Sequence, residues 1–275
     1  MKSNVVKSSV LYKYGFAKIW LMILLIYEWG IVTIQSAKAE SFNVLPIRVY
    51  LKGRSLSQEL KISNESANTQ RFQVTVKAWE QNEQGEMQLS DTQDIIAFPQ
   101  LFELAKGEYR LVRVGTLVPP TTKERTYRVF LQQLAKTENQ EETTTPKKGV
   151  QLNFLIRVGI PIFIAPIQII KQGKIDKVNI EKDKIFITIN NTGNIHILTS
   201  SFVIKGYDDT GKVVFQGNLG GGYILAGNRR IFQEKLPQEN CKNIRNIGIE
   251  IGIDKEQDKP LSFTEKVETP NGVCQ

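Results

Sequence analysis

The chain has 275 residues, 36 Lys and Arg against 28 Asp and Glu for a net charge of +8, 41% hydrophobic content, one histidine and two cysteines. That length exceeds the usual size of one sandwich domain and accommodates two, each able to bury its own core. A single histidine leaves little material for a hydrolase triad or a zinc site, so neither an enzyme nor a metal or cofactor protein is expected.

Residues 1–39 differ from the rest. Lys2, Lys7, Lys13 and Lys18 precede an apolar stretch from Ile19 to Ile26, and the segment closes on Ala37-Lys38-Ala39. Charged start, apolar middle and Ala-x-Ala end define a secretory signal peptide cleaved after Ala39. The alternative is a retained membrane anchor, because apolar residues resume after Glu28 and Trp29 and run to Ile34; Glu28 would be costly inside hydrocarbon. Removing residues 1–39 takes away five lysines and one glutamate and lowers the charge from +8 to +4. The remaining basic residues are interspersed with acids along strand-like segments, a pattern of solvated faces and not of a nucleic-acid stripe. Export would carry Cys241 and Cys274 into an oxidising compartment, where such a pair is expected to form a disulfide. Closing that loop contributes about 4 kcal/mol in the chain-entropy picture; two free buried thiols are the alternative.

After Ala39 the apolar pattern has a period near two, in short segments separated by turn residues, and nothing reads as a long helix. Strands are expected over Leu45–Leu51, Glu59–Asn64, Phe72–Trp79, Tyr109–Leu117, Arg125–Leu134 and Val150–Phe163. Thr137–Gly149, with no apolar residue, is expected to be a mobile loop. Pro161 and Pro166 bracket Ile162–Ala165, and proline is poorly tolerated inside a central strand, so a first domain over 40–166 should end there. A second series over 167–275 includes Lys174–Ile180, Lys184–Asn190, Ser201–Tyr207, Val213–Gly217, Arg229–Lys235, Ile247–Ile253 and Pro260–Val267.

The halves also resemble one another at a spacing of about 125 residues. Leu60-Lys61-Ile62-Ser63-Asn64 parallels Ile187-Thr188-Ile189-Asn190-Asn191, and Val76-Lys77-Ala78-Trp79 parallels Ile204-Lys205-Gly206-Tyr207. Gln84-Gly85 and Thr210-Gly211 close matching hairpins, and Leu104-Ala105-Lys106-Gly107 and Leu225-Ala226-Gly227 follow. Short strands, one buried aromatic on the third and no helix fit an all-β fold of two immunoglobulin-like β-sandwiches in tandem.

No residue pattern in the chain points to reaction chemistry. His196 follows the turn residues Asn191–Asn194 and has no clustered partner in the sequence, so it is expected at the surface or in a strand. His196, Cys241 and Cys274 match no finger spacing. Gly217–Gly222 lacks the Lys-Ser/Thr of a phosphate loop and is expected to be a wide hairpin. The Asn64-Glu65-Ser66 and Asn190-Asn191-Thr192 sequons fall in turns, where Asn is favoured for backbone reasons alone.

One strand stands apart. Val150, Leu152, Phe154, Ile156, Val158 and Ile160 form one face, opposite Gln151, Asn153, Arg157 and Gly159, with Leu155 breaking the alternation. On pattern alone this is an ordinary strand with its apolar face in the core. Its place, last in its domain and after a polar loop, lets it extend beyond its own sheet and present an edge. Exposed apolar edges are normally suppressed in soluble proteins, so one left intact suggests pairing with another chain.

With that strand, an ordered set of matches accumulates: Arg48-Val49-Tyr50-Leu51-Lys52-Gly53, Ile62-Ser63-Asn64, Ala78-Trp79, Leu111-Val112-Arg113-Val114, Glu124, then Leu152, Phe154 and Ile156 before Pro161–Pro166. In this the chain from about Ser41 onward resembles the PapD-like periplasmic chaperones of pilus assembly, most strongly in its first domain. The resemblance implies a periplasmic protein that lends strand 150–160 to pilus subunits lacking their final strand, filling the subunit groove with Leu152, Phe154, Ile156 and Val158. It implies an outer-membrane usher as a second partner, and no small-molecule substrate. It makes Arg48 the cleft arginine that binds the subunit's terminal carboxylate. Arg113, Glu124 and Asp254 would form a charged cluster fixing the angle between the domains. Burying three or four large apolar side chains gives about 5 to 10 kcal/mol gross, against about 1.5 to 3 kcal/mol for one charge-assisted hydrogen bond. The strand would supply most of the affinity and Arg48 mainly the register, since a one-residue slip turns the apolar face away.

There are departures. Pro161 stands where the family commonly has a second cleft cation, a lysine, and Arg157 is the candidate stand-in. Lys106 replaces a turn proline before Gly107. An exported structural or adhesin-like protein built of two sandwiches, with Val150–Val158 as plain core, is the competing reading. The same exposed strand also offers an edge for self-association.

Overall fold

The computed structural model describes residues 41–135, 154–181, 183–236, 241–253 and 263–268. Ten strands build the first sandwich: β1 Phe42–Leu45, β2 Val49–Leu51, β3 Ser57–Asn64, β4 Gln70–Gln81, β5 Met87–Asp91, β6 Ile95–Phe98, β7 Leu101–Leu104, β8 Tyr109–Thr116, β9 Arg125–Leu134 and β10 Arg157–Ile164. One sheet has the order β1-β3-β8-β6, the other β2-β10-β9-β4-β5 with β7 also on β4. The second sandwich comprises β11 Lys174–Glu181, β12 Lys184–Asn190, β13 Ile197–Tyr207, β14 Val213–Ile224, β15 Arg229–Lys235, β16 Asn246–Ile253 and β17 Phe263–Glu268. Its sheets are β11-β12-β15 and β14-β13-β16-β17. The chain is all-β with two immunoglobulin-like sandwiches; a 3₁₀ turn at Cys241–Asn243 is the one helical element among the described residues.

Period-two alternation becomes two separate cores. Leu60 and Ile62 of β3, Phe72 and Val74 of β4, Val112 and Val114 of β8, and Ile160, Ile162 and Ile164 of β10 fill the first. Ile185, Ile187 and Ile189 of β12 meet Phe202 and Ile204 of β13 and Ile247, Ile249 and Ile251 of β16 in the second. The repeat is real in three dimensions. Asn64 Nδ2 donates to the carbonyls of Leu104 and Ala105 at 3.0 and 3.2 Å, and Asn191 Nδ2 to those of Ile224 and Leu225 at 2.9 and 3.1 Å. Gly107 and Gly227 follow with φ of 76° and 67°, and the hairpin glycines Gly85 and Gly211 have φ of 82° and 83°, conformations glycine adopts without steric cost. Leu104 therefore corresponds to Ile224, one residue before the string match.

Several expectations change. Leu45–Leu51 is two strands in different sheets, because Pro46 has no N–H with which to continue a ladder and the chain crosses over before Val49. Strands β5, β6 and β7 were not expected. Gly217–Gly222 is not a hairpin but lies inside β14, paired with β13; a Cβ on Gly221 would sit 1.8 Å from the Thr199 carbonyl oxygen. Pro161 lies within β10 and does not end it. Strand β10 starts at Arg157, while Thr137–Gly149 and Val150–Asn153 lie outside the described residues. So does Cys274, and with it the expected disulfide to Cys241.

Tyr127, in the first core, donates its hydroxyl to Asp94 at 2.6 Å. Burial first, and then the Asp94 carboxylate, push its pKa up to about 12. The folded chain thus holds this proton more tightly than the unfolded one. The associated stability is complete below the phenol's ordinary value near 10 and is lost as pH rises toward about 12. Urea midpoints measured from pH 9 to 12 should fall more steeply in the wild type than in Tyr127→Phe.

Candidate functional site

The apolar face of β10 is divided. Ile160, Ile162 and Ile164 are at most 2% exposed in the first core, and Val158 packs partly against it. Farther along the same face the side chains leave the protein: Ile156 is 38% and Phe154 78% exposed, with Leu155 at 50%. Leu152, the next position, lies outside the described residues.

On one edge β10 pairs antiparallel with β9 from Arg157↔Gln132 to Ile164↔Arg125. On the other, β2 pairs in parallel with Ile162–Ile164 only. Among the described residues, Arg157–Pro161 has no strand on that second edge. The Gln133 N–H donates to the Ile156 carbonyl at 2.9 Å, so even-numbered residues bond β9 and Arg157, Gly159 and Pro161 direct backbone groups outward. Pro161 is tolerated here because its missing N–H falls on the open edge.

The odd-numbered face of β10 borders the second sandwich. Phe163 is 1% exposed and stacks on the His196 ring, with centroids 3.8 Å apart, and on Tyr50 at 5.4 Å. Trp79 and Tyr223 meet edge to face at 5.4 Å and, with Phe163 and Leu225, form an apolar cluster between the sandwiches. The buried aromatic expected on the third strand thus serves the junction and not the sandwich core. His196 is 2% exposed, contrary to the surface or strand position expected. Its backbone N–H donates to Glu124 Oε2 at 2.8 Å, and the same oxygen lies 2.8 Å from its ring Nδ1. Gln81 adds a second polar tie, Nε2 donating to the Tyr223 carbonyl at 3.0 Å.

Two guanidinium groups reach this cleft. Arg48 Nε donates to the Tyr223 hydroxyl at 3.0 Å. Arg128 of β9 pairs directly with Pro161 in the ladder, lies 4.1 Å over the Trp79 ring and donates Nη1 to the Gly159 carbonyl at 3.2 Å. Burial lowers its pKa, offset in part by Tyr223. Arg128 Nε and Trp79 Nε1 are buried and find no acceptor among the described residues, a costly state for a donor unless something else supplies one. Arg157, the candidate second cation, instead lies 4.1 Å over Phe130. Sequence reasoning missed Arg128 and Tyr223 because only strand register brings them to Pro161 and Arg48.

Two members of the expected interdomain cluster have partners of their own among the described residues. Arg113 Nη2 donates to Glu59 at 2.9 Å with both side chains well exposed, Glu124 is engaged with His196, and Asp254 lies outside the described residues.

Two β-sandwiches joined at an aromatic cleft, with a half-covered last strand in the first, are the fold that the comparisons match. Residues 41–170 match the family described as pili and flagellar-assembly chaperone, PapD N-terminal domain. Residues 41–170 of the chain are thus similar to that family's N-terminal domain. Similar solved structures include the CsuC–CsuE chaperone–tip adhesion subunit pre-assembly complex from archaic chaperone-usher Csu pili of Acinetobacter baumannii, at 16% identity over 81% of this chain and 98% of that one, TM-score 0.56. The SafB chaperone complex with the SafA pilin of Salmonella enterica matches at 16% identity over 84% and 99%, TM-score 0.53. The YadV chaperone matches at 13% over 82% and 99%, TM-score 0.54. At these identities the likeness is one of fold. A search of curated protein sequences found no match.

Proposed function

We propose that the chain is a periplasmic, non-enzymatic chaperone that captures pilus subunits by donating the strand 150–160 and passes them to an outer-membrane usher. The observation that carries this reading is the division of β10. One apolar face begins in the protein's own core at Ile160 and continues into solvent at Ile156 and Phe154, beside an edge that β2 leaves uncovered before Ile162. A subunit lacking a strand would complete both the ladder and the core there. Leu152 would extend the same face.

The cleft supplies the second contact. Arg48 bonds the Tyr223 hydroxyl and Arg128 lies over Trp79, which meets Tyr223 edge to face; a carboxylate seated between the two guanidinium groups would satisfy the buried Arg128 Nε. Arg128, one strand away from Pro161, takes the place first considered for Arg157. The interdomain angle, read from sequence as a charge cluster, rests in this account on Glu124 with His196 and on Gln81.

With a pilus subunit co-expressed, Arg48→Ala should weaken capture about 10- to 100-fold, the value of one charge-assisted hydrogen bond, without changing the melting temperature by more than about 2 °C. Equal retention of subunit by the folded variant overturns the carboxylate contact.

A further inference from the structure

The Gly159 carbonyl is one of the outward-facing acceptors on the open edge of β10, and it is occupied. Arg128 Nη1 bonds it at 3.2 Å. Gly159 also has no room for a side chain, since a Cβ would lie 2.8 Å from the Phe130 ring. The backbone edge and the guanidinium are therefore held together where no strand pairs with β10 among the described residues. A strand adding to this edge takes the Gly159 carbonyl as an acceptor in the plane of the sheet, and the Arg128 guanidinium competes with it for that oxygen.

We propose that Arg128 couples the two halves of partner recognition: a carboxylate arriving beside Arg48 draws the Arg128 guanidinium off the Gly159 carbonyl, and the freed carbonyl accepts an N–H of the pairing strand. The proposal rests on the reading of β10 as a strand-pairing edge. Its chemistry is an exchange of acceptors. A guanidinium–carboxylate bond is roughly twice as strong as one to a neutral carbonyl, so Arg128 leaves Gly159 readily when a carboxylate is present. Without one, pairing would strand a partly buried cation. Arg128 Nε, already without an acceptor, marks the side on which the carboxylate would sit. The same device protects the free chain, because a second copy pairing through its own β10 brings no terminal carboxylate to this point, and open edges are otherwise a route to self-association.

The test uses two synthetic ten-residue peptides of one alternating Val/Thr/Phe sequence, one ending in a free carboxylate and one in an amide, titrated against the full chain by fluorescence anisotropy. The wild type should bind the carboxylate form about 10- to 100-fold more tightly, as a charge-assisted contact implies. In Arg128→Met the amide form should bind about 3-fold or more tightly than to the wild type, because the edge carbonyl is no longer occupied, and the carboxylate preference should shrink. If both peptides weaken equally in Arg128→Met, the residue is merely structural and the coupling is overturned. If only the carboxylate form weakens while the amide form is unchanged, Arg128 is a simple clamp and the coupling is again overturned. Binding of neither peptide to the wild type overturns the strand-pairing reading, and the coupling with it.

Discussion

Replacing Phe154 and Ile156 together by serine is expected to leave the chain folded while lowering its capture of a co-expressed pilus subunit by at least about a hundredfold. Both side chains already stand in water, at 78% and 38% exposure, so their removal costs the free protein little. In the complex each would bury a large apolar group worth about 1.5 to 3 kcal/mol. The matched control lies a few residues along the same face. Ile162 is fully buried in the first core, and Ile162→Ala should lose about 2 to 5 kcal/mol of folding stability. Co-purification yield and urea midpoints, measured on both variants, separate the alternatives. A chaperone shows lost capture with unchanged stability at 154 and 156. If the double variant unfolds as Ile162→Ala does, the strand is ordinary core and the protein is a structural sandwich.

What the sequence made legible follows from the range of the forces involved. Alternation is a local signal, and it located β9, β12 and β15 to the residue. It also found the apolar face of β10. It could not say where along that face the core ends, because this depends on how much of β10 is covered by strands distant in sequence. Strand β5, with every residue exposed, carried no apolar pattern to detect, and Pro99 separates the short β6 and β7. The glycine run 217–222 reads locally as a turn but is held extended by its ladder to β13. The cleft was the least legible part. Arg48 stood in an ordered family motif, whereas Arg128 reaches Pro161 only through register, and Tyr223 reaches Arg48 across 175 residues. His196 looked isolated because its partner, Glu124, is 72 residues away.

The second large effect concerns Asn191, and the expected result of Asn191→Ala is loss of about 3 to 5 kcal/mol, a large part of the net stability of such a domain. Asn191 is fully buried. Its amide donates to the carbonyls of Ile195, Ile224 and Leu225 at 2.8 to 3.1 Å, and its Oδ1 accepts the Gly193 N–H at 3.1 Å. The Gly193 N–H keeps the Gln172 carbonyl at 2.8 Å and the Leu225 carbonyl keeps the Asn228 N–H at 3.0 Å, so alanine chiefly costs the Ile195 and Ile224 carbonyls, at about 1 to 3 kcal/mol for each that stays dry. Asn191→Asp retains the acceptor but turns a charge toward three carbonyls, and should be worse. Asn64→Ala should cost less, since one of its acceptors is the carbonyl of Asn68, an exposed residue. Calorimetry on the three variants gives the ranking. Because Ile224 and Leu225 directly follow Tyr223, the loosened corner also frees the hydroxyl that takes Arg48. Subunit capture by Asn191→Ala should therefore weaken below the melting temperature, although Asn191 lies outside the proposed binding surface.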